Sequence, residues 1–180
     1  TPELISRLVY AKLEGRPLTH AELLGTCHLM LLGGLDTVTA TLDCMIAYLA
    51  AHPDRRHAFT ADPKLAARAI EELLRTETPV MVVARVIKQD AELAGTSIRA
   101  GDHAVLVLGA ANLDGGEFPD PESVDLDREA NRHLAFGGGP HRCLGSHLAR
   151  MELRVALEEF HRRIPAYHIR EGVKLQYSPG

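Results

Sequence analysis

The chain has 180 residues, enough for one domain with a substantial core. Its content of 46% hydrophobic and 24% charged residues is ordinary for a soluble globular protein. A net charge of −4, with 4% aromatics and no tryptophan, argues against a nucleic-acid partner, which favours a basic face and stacking platforms.

Cysteines stand at positions 27, 44 and 143, without a clustered framework. That usage predicts a reducing compartment and a cytoplasmic location. No signal peptide is visible. The longest apolar stretch, Leu23 to Leu35, contains Cys27 and His28. It is shorter than the roughly 20 residues of a membrane span, so it predicts a buried helix and no membrane partner. The chain opens on Thr1-Pro2 rather than Met, which raises the expectation of a fragment.

In chain order, residues 3–14 predict a short amphipathic helix stopped by Gly15 and Pro17. Thr19, with Glu22 three residues on, forms a capping box for a second helix running to His52, where Pro53 ends it. Leu24, Cys27, Leu31, Leu35, Val38, Leu42, Met45 and Leu49 recur along it at helical spacing. Its scarcity of polar residues places it across the middle of the fold.

A loop through Asp62-Pro63 leads to a helix from about Lys64 to Thr76. Met81 to Ile87 is β-branched and apolar, hence a strand. Glu92 to Ala94 and Ala104 to Leu108 predict strands flanking a turn at Ala100-Gly101-Asp102. From Ala110 to Ala135 the chain is irregular, and a loop of that length is usually functional. A helix then runs from about Leu144 to Arg163, before Pro165, with strand and turn expected to Gly180. The fold class is mainly α with small β-sheets.

Four groups of residues carry possible chemistry. Gly33-Gly34 interrupts the long helix, where each glycine costs about 1 kcal/mol relative to alanine. Thr37 can bond back to the Gly33 carbonyl and bend the helix. An acid beside an alcohol, Asp36-Thr37, suits a proton relay at a species approaching the bared backbone. A packing notch with a solvated Asp36 explains the same residues. Glu72 and Arg75 share a helix face, and an exposed surface pair is the commoner origin of that spacing. Arg85, on an apolar strand, either binds a carboxylate or snorkels to water.

The run Phe136-Gly137-Gly138-Gly139-Pro140-His141-Arg142-Cys143-Leu144-Gly145 is the strongest signal. Glycines and a proline fix an unusual loop, and a helix start favours a thiolate at Cys143. No Gly-Lys-Ser/Thr follows, which excludes a phosphate-binding loop. His133, His141, Cys143 and His147 are dense enough for a zinc module, although no Cys-x-x-Cys pair exists. A single thiolate opposite an open position is the haem–thiolate arrangement.

Phe136 to Gly145 resembles the haem-binding signature of the cytochromes P-450, Phe-Gly-x-Gly-x-His-x-Cys-x-Gly. Four further segments resemble that family's motifs in its order. They are Gly33-Gly34-Leu35-Asp36-Thr37 on the long helix, Glu72 to Arg75, Val124-Asp125-Leu126-Asp127-Arg128, and Leu148-Ala149-Arg150 after the cysteine. The form of the first is similar to camphor-hydroxylating bacterial enzymes. Two departures fall in the irregular segment: Leu113 within Ala111-Asn112-Leu113-Asp114, where arginine is common, and Val124, where phenylalanine is usual.

The resemblance implies the C-terminal portion of the cytochrome P-450 fold: long central helix, Glu-x-x-Arg helix, meander, Cys-ligand loop and following helix. Residues 1–180 would be a single partial domain without the N-terminal half. It implies haem b (iron protoporphyrin IX) as cofactor, with Cys143 as iron ligand. Gly145 would allow close approach, Phe136 would pack near the sulfur, and Arg85 and His141 would bind propionates. Asp36 and Thr37 would manage protons. Glu72, Arg75 and Arg128 would form a buried structural triad. Leu29, Leu32, Gly33, Met81, Val82 and Val83 would face an apolar small-molecule substrate. Arg142 and Arg150 would meet a ferredoxin-type electron donor. The implied activity is an O2-dependent monooxygenase, with a haem-binding but inactive fragment as the alternative.

Overall fold

The computed structural model describes residues 3–176. Helix α1, Leu4–Val9, is followed by a hairpin of β1, Lys12–Leu13, and β2, Arg16–Pro17. The helix expected over 3–14 therefore stops early. Glu14 and Gly15, at φ 51° and 82°, turn the chain back in a two-residue hairpin.

Helix α2, His20–Ala51, begins as its sequence predicts. The Glu22 N–H donates to Thr19 Oγ1 at 3.2 Å, and the Thr19 N–H donates to Glu22 Oε2 at 2.8 Å. Arg16 grips the same carboxylate at 2.8 and 2.7 Å, which ties the hairpin to the helix start. Pro53 opens α3, Pro53–Ala61, directly. The sequence reading leaves that stretch as loop, but its inward residues Arg56 and Phe59 are buried. Asp62 caps α4, Pro63–Glu77, by accepting the Lys64 N–H at 2.8 Å.

Strand β3, Val82–Val86, pairs antiparallel with β6, His103–Val107. Nested between them, β4, Ala91–Leu93, pairs with β5, Thr96–Ile98. This corrects the expected arrangement around residues 100–102. Ala94 and Gly95, at φ 49° and 78°, close the inner hairpin, and alanine there sends no turn signal. Helix α5, Leu108–Ala111, precedes the irregular segment. A 3-10 turn, Gly139–His141, and α6, Ser146–Arg163, complete the elements. Among the described residues beyond Arg163 there is no strand, and residues 177–180 of the expected terminal strand and turn lie outside them.

The core joins Met45 and Leu49 of α2, Phe59 of α3, Ile70, Leu73 and Leu74 of α4, and Leu153 and Leu157 of α6. Leu126 and Ala135 of the irregular segment close it, with Val124 packed against it. Helix α2 crosses the fold only in part. Its buried residues are Thr41, Met45, Leu49 and Ala50, whereas Leu24, Leu29, Leu31, Leu32 and Leu35 are exposed. By length and composition α2 is apolar enough to cross a membrane, but its final third belongs to this core.

The irregular segment is held by Arg75. Its guanidinium donates to Glu72 at 2.9 and 2.7 Å and to the carbonyls of Asn112 (2.8 Å), Pro121 (2.7 Å) and Ser123 (3.0 Å). Glu72 accepts in addition from Arg128 Nε at 3.1 Å, the Asp125 N–H at 2.9 Å and Asn131 at 2.9 Å. Glu72 and Arg75 are fully buried, so the surface-pair alternative fails and the triad geometry with Arg128 is present. Asn112, also fully buried, donates to Thr78 and accepts the Leu134 N–H, which brings the chain to the edge of the cysteine loop. Leu113, at the departure from the family pattern, is exposed.

Candidate functional site

The cysteine loop is built by main-chain bonds. The Gly137 N–H donates to the Leu134 carbonyl and the Cys143 N–H to the Phe136 carbonyl, both at 2.8 Å. Gly137 and Gly139 sit at φ 65° and 62°, where a Cβ is strained. Those two glycines therefore shape the loop. Cys143 stands exposed at its end as a free thiol, three residues before α6, and neighbouring Leu144 is 99% exposed.

Gly145 answers a different demand. A Cβ built there would lie 3.9 Å from Cys143 Sγ, an ordinary contact, and its φ of −81° suits any residue. Nothing among the described residues requires glycine at 145. The same holds at Gly33 and Gly34 on α2, where a Cβ would meet nothing within 4 Å. Room is left beside the thiol and on the α2 backbone for a group packed against them. This room, the exposed soft sulfur ligand and the exposed apolar side chains of Leu29, Leu32, Met81 and Val82 fit a haem.

On α2, the Thr37 hydroxyl donates to the Gly33 carbonyl at 2.7 Å, the bond anticipated from the sequence. Asp36 beside it is exposed. Leu29, Leu32 and Gly33 are exposed one to two turns earlier. Met81 and Val82 are exposed at the start of β3 and Val83 is half-buried. The Gly109 N–H donates to the Met81 carbonyl at 3.1 Å, which fixes the entry to that strand. Arg85 is exposed, and among the described residues its guanidinium donates to the carbonyl of its neighbour Ala84 alone, at 2.8 Å. His141, in the 3-10 turn, is exposed as well. No direct hydrogen bond joins Arg85 to His141 among the described residues.

The zinc alternative is corrected by geometry. Among the described residues no three His, Cys, Asp or Glu side chains converge on a point that could hold a metal ion. His133 is buried with both ring nitrogens occupied. Its Nδ1 accepts the Ala135 N–H at 3.2 Å, so Nε2 carries the hydrogen and donates to Glu71 Oε2 at 3.1 Å.

Arg150 also departs from expectation. It is not presented freely for a partner, because its guanidinium forks onto Glu71 at 2.6 and 2.7 Å and lies 4.5 Å over the Phe136 ring centroid. Arg142 remains exposed. Burial raises the Glu71 pKa, but the hydrogen bonds from His133 and Arg150 and the charge of Arg150 outweigh it and hold the carboxyl at about 2. Sequence reasoning misses Glu71. Its only signal is the doublet Glu71-Glu72, in which the second member alone belongs to the Glu-x-x-Arg spacing.

A cavity of about 290 Å³ opens beside this cluster, lined by Asn131, Arg132, His133, Phe136, Gly137, Arg142 and Arg150. Cys143 does not line it, and three arginines make it unsuited to an apolar molecule.

Residues 2–163 match the family model described as cytochrome P-450. The chain is 43% identical over 170 residues to a probable cytochrome P-450 127A1 of Sinorhizobium fredii, covering 94% of this chain and 41% of that protein. It is 37% identical over 179 residues to the steroid C26-monooxygenase of Mycolicibacterium smegmatis, covering 99% and 45% respectively. The solved testosterone complex of CYP109E1 from Bacillus megaterium superposes with a TM-score of 0.88 at 37% identity. It covers 94% of this chain and 47% of that one. The chain thus spans less than half the length of these relatives.

Proposed function

The chain belongs to the cytochrome P-450 family, whose members bind haem b, and from that premise we propose that it serves a haem–thiolate monooxygenase. The reaction inserts one oxygen atom from O2 into an apolar organic substrate and releases the other as water, with two electrons from a ferredoxin-type donor and two protons. Residues 1–180 form the C-terminal portion of that fold. The observation that carries this reading is the pairing of an exposed Cys143 with Gly145, a glycine that packing among the described residues does not require.

The haem, when bound, supplies the iron at which O2 is activated. Cys143 would hold that iron through its sulfur, and Gly145 would leave the surface beside it bare for the porphyrin. Phe136, bonded to the Cys143 N–H through its carbonyl, packs beside the sulfur. Arg85 and His141 offer cationic or hydrogen-bonding groups to the propionates. Asp36 and Thr37 hold and pass protons on the α2 side. Leu29, Leu32, Gly33, Met81, Val82 and Val83 exclude water and accept an apolar substrate. Glu72, Arg75 and Arg128 act at a distance by fixing the segment that leads into the loop. Arg142 is left to meet an acidic donor surface.

The test is the spectrum of the reduced, CO-bound protein. A thiolate-type Soret band that disappears in Cys143→Ala supports the reading. A histidine-type band, or one that Cys143→Ala leaves unchanged, overturns it.

The exposure of Leu29, at 71%, and of Met81, at 54%, favours a second reading for the 180 residues taken alone: haem uptake without turnover. The substrate-facing residues then lack a cover that excludes water. Retained haem with no product formation by the 180-residue chain separates this from an active enzyme.

A further inference from the structure

Glu71 neighbours the buried Glu72 on α4 but bonds a different set of partners. Its two oxygens accept the fork of Arg150 at 2.6 and 2.7 Å, and Oε2 also accepts from His133 at 3.1 Å. Both partners reach the cysteine loop. His133 accepts the N–H of Ala135, the residue before Phe136, at 3.2 Å. Arg150 lies 4.5 Å over the Phe136 ring centroid. The Phe136 carbonyl in turn accepts the Cys143 N–H at 2.8 Å. The Arg150 pKa is raised first by the Glu71 hydrogen bond, against burial, with a smaller contribution from the Glu71 charge.

We propose that Glu71 is a positioning residue for Cys143, clamping the Phe136 end of the ligand loop through Arg150 and His133 and balancing the cation that stands over Phe136. The inference rests on the haem–thiolate reading above. A bidentate carboxylate sets the orientation of a guanidinium as well as its charge. With Glu71 ionised, Arg150 is held over the ring and its charge is largely offset. With Glu71 neutral, the cation is unopposed and favours the electron-rich state of a thiolate-bound haem. With Arg150 removed, that state loses the cation over Phe136.

The two neutralising variants therefore shift the haem in opposite directions. In the haem-loaded protein, E71Q raises the midpoint potential and R150Q lowers it, each by roughly a tenfold change in the reduction constant, about 59 mV for a one-electron couple. Unchanged potentials, or shifts of the same sign in both variants, overturn the proposal, because general loosening of the loop has no reason to change sign. A second readout needs no haem. Amide hydrogen exchange at Cys143 is expected to quicken in E71Q at least about tenfold more than exchange at the core amide of Leu73, which reports global unfolding. Equal rates at Cys143, or equal acceleration at Leu73, overturn the clamp. An unaltered chain that takes up no thiolate-ligated haem defeats the functional reading instead, and the exchange rates still decide on the clamp.

Discussion

Arg75 and Glu72 meet through two hydrogen bonds of 2.9 and 2.7 Å, and neither side chain is exposed to solvent. The pair persists in the interior because its remaining hydrogen-bonding groups are also used. Three carbonyls take Arg75, while Arg128, Asn131 and the Asp125 N–H take Glu72. Removing the carboxylate strands two cations. Glu72→Gln is expected to destabilise the chain by about 3–5 kcal/mol. Urea denaturation measures it, and a loss below about 1 kcal/mol would mean that the carbonyls alone suffice.

Glu71 gives the fold a defined acid sensitivity. Its carboxyl, ordinarily at 4.5, is held at about 2 in the folded chain by His133 and Arg150, against the upward push of burial. A depressed carboxyl contributes stability fully above its unfolded pKa and loses it as pH falls through the folded value. The unaltered chain and Glu71→Gln should therefore differ most near neutral pH. Their urea midpoints should converge as pH falls from 4.5 towards 2. A gap that stays constant over that interval would show that the Glu71 charge contributes nothing to folding.

What the sequence made legible was local. Thr19 and Glu22 announce the start of α2 because a capping box is complete within four residues, and Pro53 announces its end. The glycines and proline before Cys143 announce the loop for the same reason. The Ala94-Gly95 hairpin was not legible, because alanine at positive φ lacks the Asn or Asp that marks such a turn. Nor was the burial of Glu72 and Arg75, whose partners come from 37 to 59 positions away. Glu71 finds Arg150 across 79 positions. No local pattern distinguishes these pairs from solvated charges. Recognition of ordered family motifs supplied the triad, but not Glu71 or the inward turn of Arg150.

Gly145 separates the requirements of the chain from those of the cofactor. A Cβ there would meet Cys143 Sγ at 3.9 Å, which the loop accommodates. Gly145→Ala should keep the helix content of the protein and change its stability by less than about 1 kcal/mol. Haem binding should weaken by about tenfold or more, ~1.4 kcal/mol, because the added methyl occupies the bare surface beside the sulfur. Titration of the haem-free protein with haem, alongside far-UV circular dichroism, measures both. Unaltered haem affinity would remove the argument for close approach at this position.

Thr37 spends its hydroxyl hydrogen on the Gly33 carbonyl at 2.7 Å, which leaves the oxygen lone pairs free to accept. Four residues on, Thr41 repeats the same back-bond to the Thr37 carbonyl at 2.6 Å, so this stretch of α2 does not depend on one threonine for its local geometry. Thr37→Ala should therefore cost less than about 0.5 kcal/mol in stability, as for substitutions away from buried networks. Its effect should fall on proton delivery beside Asp36. The product formed per O2 consumed drops in Thr37→Ala and is largely kept in Thr37→Ser, which retains the hydroxyl. Equal coupling in the alanine variant would remove Thr37 from the relay and leave its hydroxyl with a purely helical role.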